Sequence, residues 1–168
     1  MLPIVLTGTG KPVGLAGRGA ALERRRHTIE LSGVEWLPLS PEGSREELQA
    51  VSALFVVGLP RREAADLARS ARAAGVLVNV EDEPGLCDFF MPAIVRRGDL
   101  LISISTSGRA PGLAKLVRQW IEQRLGSEWG GRLSELGAKR LAWRRSGHTM
   151  PEVAARTTSF IAERGWLP

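Results

Sequence analysis

The chain has 168 residues, 43% of them apolar, and a formal net charge of +5. That length gives one domain with a good core, or one domain plus a helical appendage. No apolar run approaches bilayer length, the single cysteine, Cys87, excludes an internal disulfide framework and a thiolate zinc site, and His27 and His148 lie far apart in the chain.

The opening MLPIVLTGTG has no basic n-region and no small-residue cleavage site, so no signal peptide is expected, and the chain reads as a soluble cytoplasmic protein. Pro3 to Thr7 is a short continuous apolar run and is expected to form a buried parallel strand. Gly8-Thr9-Gly10-Lys11-Pro12-Val13-Gly14 follows, and then a helical stretch to about Arg26. Strand, glycines and helix in that order make the dinucleotide-binding arrangement, in which the backbone and a helix N-terminus approach a pyrophosphate. Gly14 arrives one position late for G-x-G-x-x-G, and Pro12 interrupts. The stretch therefore reads either as a cofactor turn built on Gly8, Gly10, Lys11, Pro12 and Val13, or as a plain strand–helix turn. Thr28 to Leu31 is expected as a second strand. Glu30, with Leu31 beside it, stands where an acid would meet a ribose hydroxyl, or else points at solvent.

Ser32-Gly33 turns the chain into an expected third strand, Val34 to Leu39, and Arg45 to Val51 reads as a short helix. Ala53 to Val57 is another buried strand, ending in Gly58-Leu59-Pro60, with Gly58 assigned to the cofactor side. Arg61 to Ala74 is expected to be helical, with Ala64, Leu67, Ala68 and Ala71 on one face and Gly75 as the stop. Strands alternating with helices predict a Rossmann-like parallel sheet.

Val76 to Val80 is the last β run of this series. It ends in Glu81, Asp82 and Glu83, and Pro84-Gly85 turns the chain. The acids are thereby expected on a loop at the carboxyl edge of a buried strand, where ligands of open α/β sheets sit. A carboxylate there can act as a base. After Pro92 two β runs around Arg96-Arg97-Gly98-Asp99 suggest an antiparallel hairpin. Three helices follow, roughly 112–125, 128–145 and one around Val153 to Ile161. Trp120, Trp129, Trp143 and Trp166 fall in this part, as core residues or as interface anchors. Residues 1–108 hold 12 Lys+Arg against 13 Asp+Glu, and residues 109–168 hold 11 against 5. The basic excess suits an anionic partner or is a solvated helical face. No zinc finger, basic zipper or aromatic-interleaved basic sheet appears, so nucleic acid is not the expected partner.

The run Asn79-Val80-Glu81-Asp82-Glu83-Pro84, with Cys87-Asp88-Phe89, Pro92-Ala93-Ile94-Val95-Arg96-Arg97-Gly98, Ile104-Ser105-Thr106, Gly108-Arg109 and Pro111-Gly112-Leu113-Ala114, resembles the precorrin-2 dehydrogenase family. This is the module that also forms the N-terminal part of siroheme synthases. The resemblance implies a Rossmann-like α/β domain over residues 1–90, a dimerisation hairpin and helix over 91–125, and a small C-terminal helical domain over 126–168. It implies NAD-dependent oxidation of precorrin-2 to sirohydrochlorin, in some members with iron insertion as well, by a homodimer without membrane or nucleic-acid partners. The family's important aspartate falls on Asp82, and a serine of the loop after the hairpin falls on Thr106. Asn79 is the expected orienting neighbour of Asp82. Arg96, Arg97, Arg109, Lys115 and Arg118 are the expected clamps for a substrate rich in carboxylates. No residues are expected to hold a metal. The glycine stretch departs from the family's G-G-G-x-V-A type, so a tetrapyrrole-binding or chelatase-only protein with weakened NAD binding stands as the alternative.

Overall fold

The computed structural model describes residues 2–7 and 10–167, and the chain divides into two compact units, residues 1–91 and 92–168. The first unit is a four-stranded parallel sheet in the order β2-β1-β3-β4, formed by β1 (Val13–Gly17), β2 (Trp36–Leu39), β3 (Ala53–Val57) and β4 (Leu77–Val80). Helices α1 (Gly19–Glu30), α2 (Arg45–Gln49) and α3 (Arg61–Ala73) connect them. All five residues of β3 are buried, as a central strand covered on both faces requires. Its period of two sorts them. Leu54 and Val56 pack with Ala16, Val78, Val80 and the Ala64, Leu67, Ala68, Ala71 face of α3. Ala53, Phe55 and Val57 pack with Val13, Leu15 and Ile29 of α1. Each large side chain fully buried in these layers contributes about 1.5–3 kcal/mol.

Two strand expectations are overturned. Residues 2–7 form no regular structure, and Leu2, Ile4 and Val5 are 82%, 62% and 70% exposed. The first strand is instead Val13–Gly17, which finds a ladder on each side, pairing Val13 with Trp36 on one side and with Ala53 on the other. Gly14 and Gly17 lower its hydrophobicity but are needed there. A Cβ on Gly14 would press on the Leu39 and Leu54 methyls at 3.1 Å. Thr28–Leu31 is not a strand either. It is the last turn of α1, capped by Leu31 and closed by the Ser32 and Gly33 amides, which donate to the carbonyls of Ile29 and Glu30. The strand expected from Val34 is β2, Trp36–Leu39.

Helix α2 is short and opens on a capping box: Glu47 N–H donates to Ser44 Oγ at 3.2 Å while the Glu47 carboxylate accepts from Ser44 N–H at 2.8 Å. The same carboxylate accepts from the amide and hydroxyl of Ser40, just past β2. The Ser40 backbone bond, first among these contacts, holds the Glu47 pKa below the ordinary 4.5. A carboxyl lowered on folding stabilises the fold above its ordinary value, and that contribution disappears as pH falls through the folded value. Wild-type stability should therefore drop below about pH 4.5, and Glu47→Gln should flatten this acid limb in urea melts taken across pH 3 to 6.

The second unit is built on an antiparallel hairpin, β5 (Ala93–Arg97) and β6 (Leu100–Ile104), with Arg97 opposite Leu100. Three helices follow: α4 (Pro111–Arg124), α5 (Glu128–Arg145) and α6 (Met150–Glu163). The hairpin turn needs glycine at Gly98, with φ of +58°, and Gly130 of α5 lies against it, so that a Cβ on Gly98 would be 3.2 Å from the Gly130 Cα. Trp143, Phe160 and Trp166 form a chain of edge-on rings with centroids 6.4 and 5.4 Å apart. These two tryptophans are partly buried against Phe160, whereas Trp120 on α4 is 55% exposed. Among the described residues no helix is long and apolar enough to cross a membrane.

Candidate functional site

Because the four strands are parallel, their carboxyl ends lie on one edge of the sheet. Three exits meet the requirements of a ligand site there. The first is Gly17-Arg18-Gly19, running from β1 into α1. Arg18 N–H donates to the Val57 carbonyl at 3.2 Å, and a Cβ on Gly17 would run into that same carbonyl oxygen. The second is Gly58 after β3, with φ of +62°, where a Cβ would run into the Arg18 carbonyl oxygen. The two turns thus fit one another only as glycines. Helix α1 begins here with no side-chain cap and no acid in its first turn. Among the described residues its first N–H groups and positive dipole end have no capping side chain, which suits an anion such as the diphosphate of a dinucleotide.

The glycines expected to form the cofactor turn lie elsewhere. Gly8 lies outside the described residues. Gly10, Lys11 and Pro12 precede β1 and belong to the opposite, amino edge. There Lys11 Nζ donates to the Gln49 carbonyl at 2.6 Å, and the Pro12 carbonyl accepts from Ser52 N–H at 2.9 Å. Val13 is a buried core residue of β1. Glu30 and Leu31 end α1, which runs back from the carboxyl edge, and Glu30 pairs with Arg26 at 3.9 Å. Of the residues assigned to the cofactor, Gly58 is the one at the carboxyl edge.

The third exit is the acidic loop. Asp82 is exposed and adopts φ of +61°, a left-handed conformation that aspartate tolerates better than most residues. Its neighbours are engaged: Glu81 with Arg25 at 3.3 Å and Glu83 with Arg61 at 3.6 Å. No ion pair or hydrogen bond holds the Asp82 carboxylate among the described residues. Asn79 does not orient it. That side chain is buried and donates to the Phe89 carbonyl at 2.9 Å. It ties down the returning arm of the loop, together with two residues to which the sequence assigned no role. The Cys87 thiol accepts from Val80 N–H and donates to the Val80 carbonyl, each at 3.2 Å. The Asp88 carboxylate accepts from Val78 N–H and from Arg72 Nε, each at 2.9 Å.

In the second unit the expected clamps divide by their partners. Arg97 Nε donates to the Leu125 carbonyl at 2.7 Å and Nη2 to the Glu122 carbonyl at 3.2 Å. Its guanidinium caps the end of α4, and Arg97→Ala should lower stability by about 1.5–3 kcal/mol while leaving the substrate KM within twofold, read by denaturant melts and steady-state kinetics. Arg118 pairs with Glu122 at 2.6 Å. Thr106 builds the turn into α4, its hydroxyl oxygen accepting from Ala110 N–H at 3.2 Å. Arg96, Arg109 and Lys115 are exposed, with no acidic partner among the described residues. No group of three or more His, Cys, Asp and Glu able to hold a metal occurs among those residues.

Known proteins carry both halves of this arrangement. The NAD(P)-binding family model NAD_binding_7 matches residues 4–93, and the model of the sirohaem biosynthesis protein central region matches residues 97–124. Siroheme synthase 3 of Aeromonas hydrophila is 31% identical over 178 aligned positions, which cover 86% of this chain and 38% of that protein. Siroheme synthase of Ectopseudomonas mendocina is 31% identical over 157, covering 82% and 34%. The chain thus spans little more than a third of these relatives. Among solved structures, SirC, a precorrin-2 dehydrogenase, superposes with a TM-score of 0.70 at 19% identity, over 96% of this chain and 89% of that one. With the glycine turn and the acidic loop on one sheet edge and the hairpin and helix that follow, the chain belongs to the NAD(P)-binding family of that first model and continues into the sirohaem biosynthesis central region.

Proposed function

We propose that the protein oxidises precorrin-2 to sirohydrochlorin with NAD as the oxidant. One observation carries this reading most: the unpaired Asp82 carboxylate stands on the same sheet edge as the open N-terminus of α1. The Gly17-Arg18-Gly19 turn and the first N–H groups of α1 would hold the diphosphate. Bound there, NAD supplies a nicotinamide that takes up a hydride. Asp82 accepts the proton released from the macrocycle as that hydride leaves, so one hydride and one proton account for the two hydrogens lost. On the second unit, Arg96, Arg109 and Lys115 carry positive charge with no acidic partner among the described residues, the kind of charge that pairs with carboxylates. Arginine does so through two parallel N–H donors and lysine as a point charge.

The alternative of a chain with weakened NAD binding took Gly8 to Gly14 as the cofactor turn and the short Ser32-Gly33 segment as part of the adenosine site. Placing the turn at Gly17 to Gly19 instead favours the dehydrogenase reading. Any iron insertion would rely on Asp82 and the substrate's own nitrogens. We also infer a homodimer formed through α4, on which Leu113, Leu116 and Trp120 are 55%, 63% and 55% exposed on one face. The deciding experiment incubates purified protein with precorrin-2 and NAD without oxygen and follows the absorbance of sirohydrochlorin. Turnover that requires NAD supports the reading, and its absence in the wild type overturns it.

A further inference from the structure

The loop that presents Asp82 has an unusual demand placed on it. It must keep one carboxylate free of partners and hold its backbone left-handed, in a stretch with an acid on either side. The flanking acids solve this by pairing outward, but the two pairs differ. Arg61 is 78% exposed and meets Glu83 at 3.6 Å, a surface pair worth little. Arg25 is 14% exposed and Glu81 25%, so their 3.3 Å contact is far less screened by water. The Arg25 guanidinium also lies over the Phe55 ring, 5.4 Å from its centroid, and Phe55 meets Phe89 edge-on at 5.3 Å. Phe89 is held in turn by Asn79. Glu81 itself continues the sheet ladder one step past β4, its N–H donating to the Val56 carbonyl at 2.9 Å. Arg25 therefore touches both the outgoing arm of the loop, at Glu81, and the ring stack that fixes its returning arm.

Arg25 sits on α1, the helix whose N-terminus forms the glycine turn. We propose that Arg25 is a positioning residue for Asp82: its ion pair with Glu81 straps the acid-bearing loop to the cofactor-turn helix and sets the spacing between base and cofactor. This rests on the reading of Asp82 as proton acceptor. A misplacement of about 1 Å between reacting groups lowers rates on the order of 100-fold, so a strap of this kind acts on kcat and leaves cofactor affinity alone.

The test uses Arg25→Gln, Arg25→Lys, Glu81→Gln and the double variant Arg25→Gln/Glu81→Gln. Each neutral single variant should lower kcat on the order of 10-fold or more, with the KM for NAD within about twofold. Arg25→Lys should recover a large part of the rate. The double variant should be no slower than the slower single one, as two residues acting as a unit require. Hydrogen exchange of segment 80–88 should speed up in Arg25→Gln, while α3 keeps its protection. Unchanged kcat in Arg25→Gln, or losses that multiply in the double variant, would overturn the proposal. If the wild type oxidises no precorrin-2, it is the dehydrogenase reading that fails. The exchange measurement then decides the strap alone, and unchanged exchange in Arg25→Gln rejects it.

Discussion

Asp82→Asn is expected to lower the kcat of precorrin-2 oxidation about 100- to 10,000-fold, the usual contribution of a positioned general base, without unfolding the chain. Asparagine is close in shape and tolerates the left-handed backbone that Asp82 adopts at φ of +61°. The carboxylate it replaces makes no hydrogen bond or ion pair among the described residues, so stability should stay within about 0.5 kcal/mol. What disappears is the proposed proton acceptor. The KM for NAD should hold, because the proposed diphosphate site is the N-terminus of α1 and not this loop. Glu83→Gln serves as the control. That carboxylate is also near the edge but engages Arg61, and its loss should change kcat less than threefold. Anaerobic steady-state kinetics with thermal melts on the same preparations read both effects. An Asp82→Asn enzyme that keeps more than a tenth of wild-type kcat would remove Asp82 from the reaction.

The acidic loop was legible in the sequence because strand, acids and Pro84-Gly85 follow each other without a break, and each imposes its own geometry. The hairpin and α5 were legible for the same reason: Gly98 can only turn, and Leu133, Leu136 and Leu141 recur at helical spacing. The first strand was not. Pro3–Thr7 is the more apolar run, and hydrophobicity alone favours it over Val13–Gly17 with its two glycines. What decides is pairing: Gly14 and Gly17 are small because Leu39, Leu54 and Val57 press on them from neighbouring strands. Sequence order does not show those neighbours. The error then propagated, since a first strand placed ten residues early shifts the turn, makes Thr28–Leu31 look like a strand and turns Glu30 into a ribose ligand. The signal that could have corrected it is Gly17-Arg18-Gly19-Ala20-Ala21, a tight glycine pair leading at once into small helix formers. Side-chain engagement was equally hidden. Arg96 and Arg97 are adjacent in sequence, yet strand alternation leaves one exposed and turns the other onto the carbonyls of α4.

The proposed turn at Gly17 to Gly19 yields a second strong expectation, in which three glycine variants separate. Gly17→Ala places a methyl on the Val57 carbonyl of the central strand, a backbone atom that cannot swing aside. It should destabilise the first unit by about 2–4 kcal/mol, within the range of backbone-strain variants. Gly19 has φ of +68°, and no atom lies within 4 Å of the place an added methyl would take, so Gly19→Ala should cost about 1 kcal/mol of stability. Gly19 is, however, the first residue of α1, at the proposed diphosphate site, where an added methyl is expected to hinder close approach to the backbone. NAD affinity should fall about tenfold or more, equivalent to at least about 1.4 kcal/mol. Gly10 likewise has a positive φ, +111°, and open space around it, but it lies on the amino edge. Gly10→Ala should therefore match Gly19→Ala in stability and the wild type in NAD binding. Calorimetry with NAD and thermal melts on the three variants distinguish the possibilities. If Gly10→Ala weakened NAD as strongly as Gly19→Ala, the cofactor would sit on the earlier glycines, and Asp82 would lose the partner across the sheet edge on which its chemistry depends.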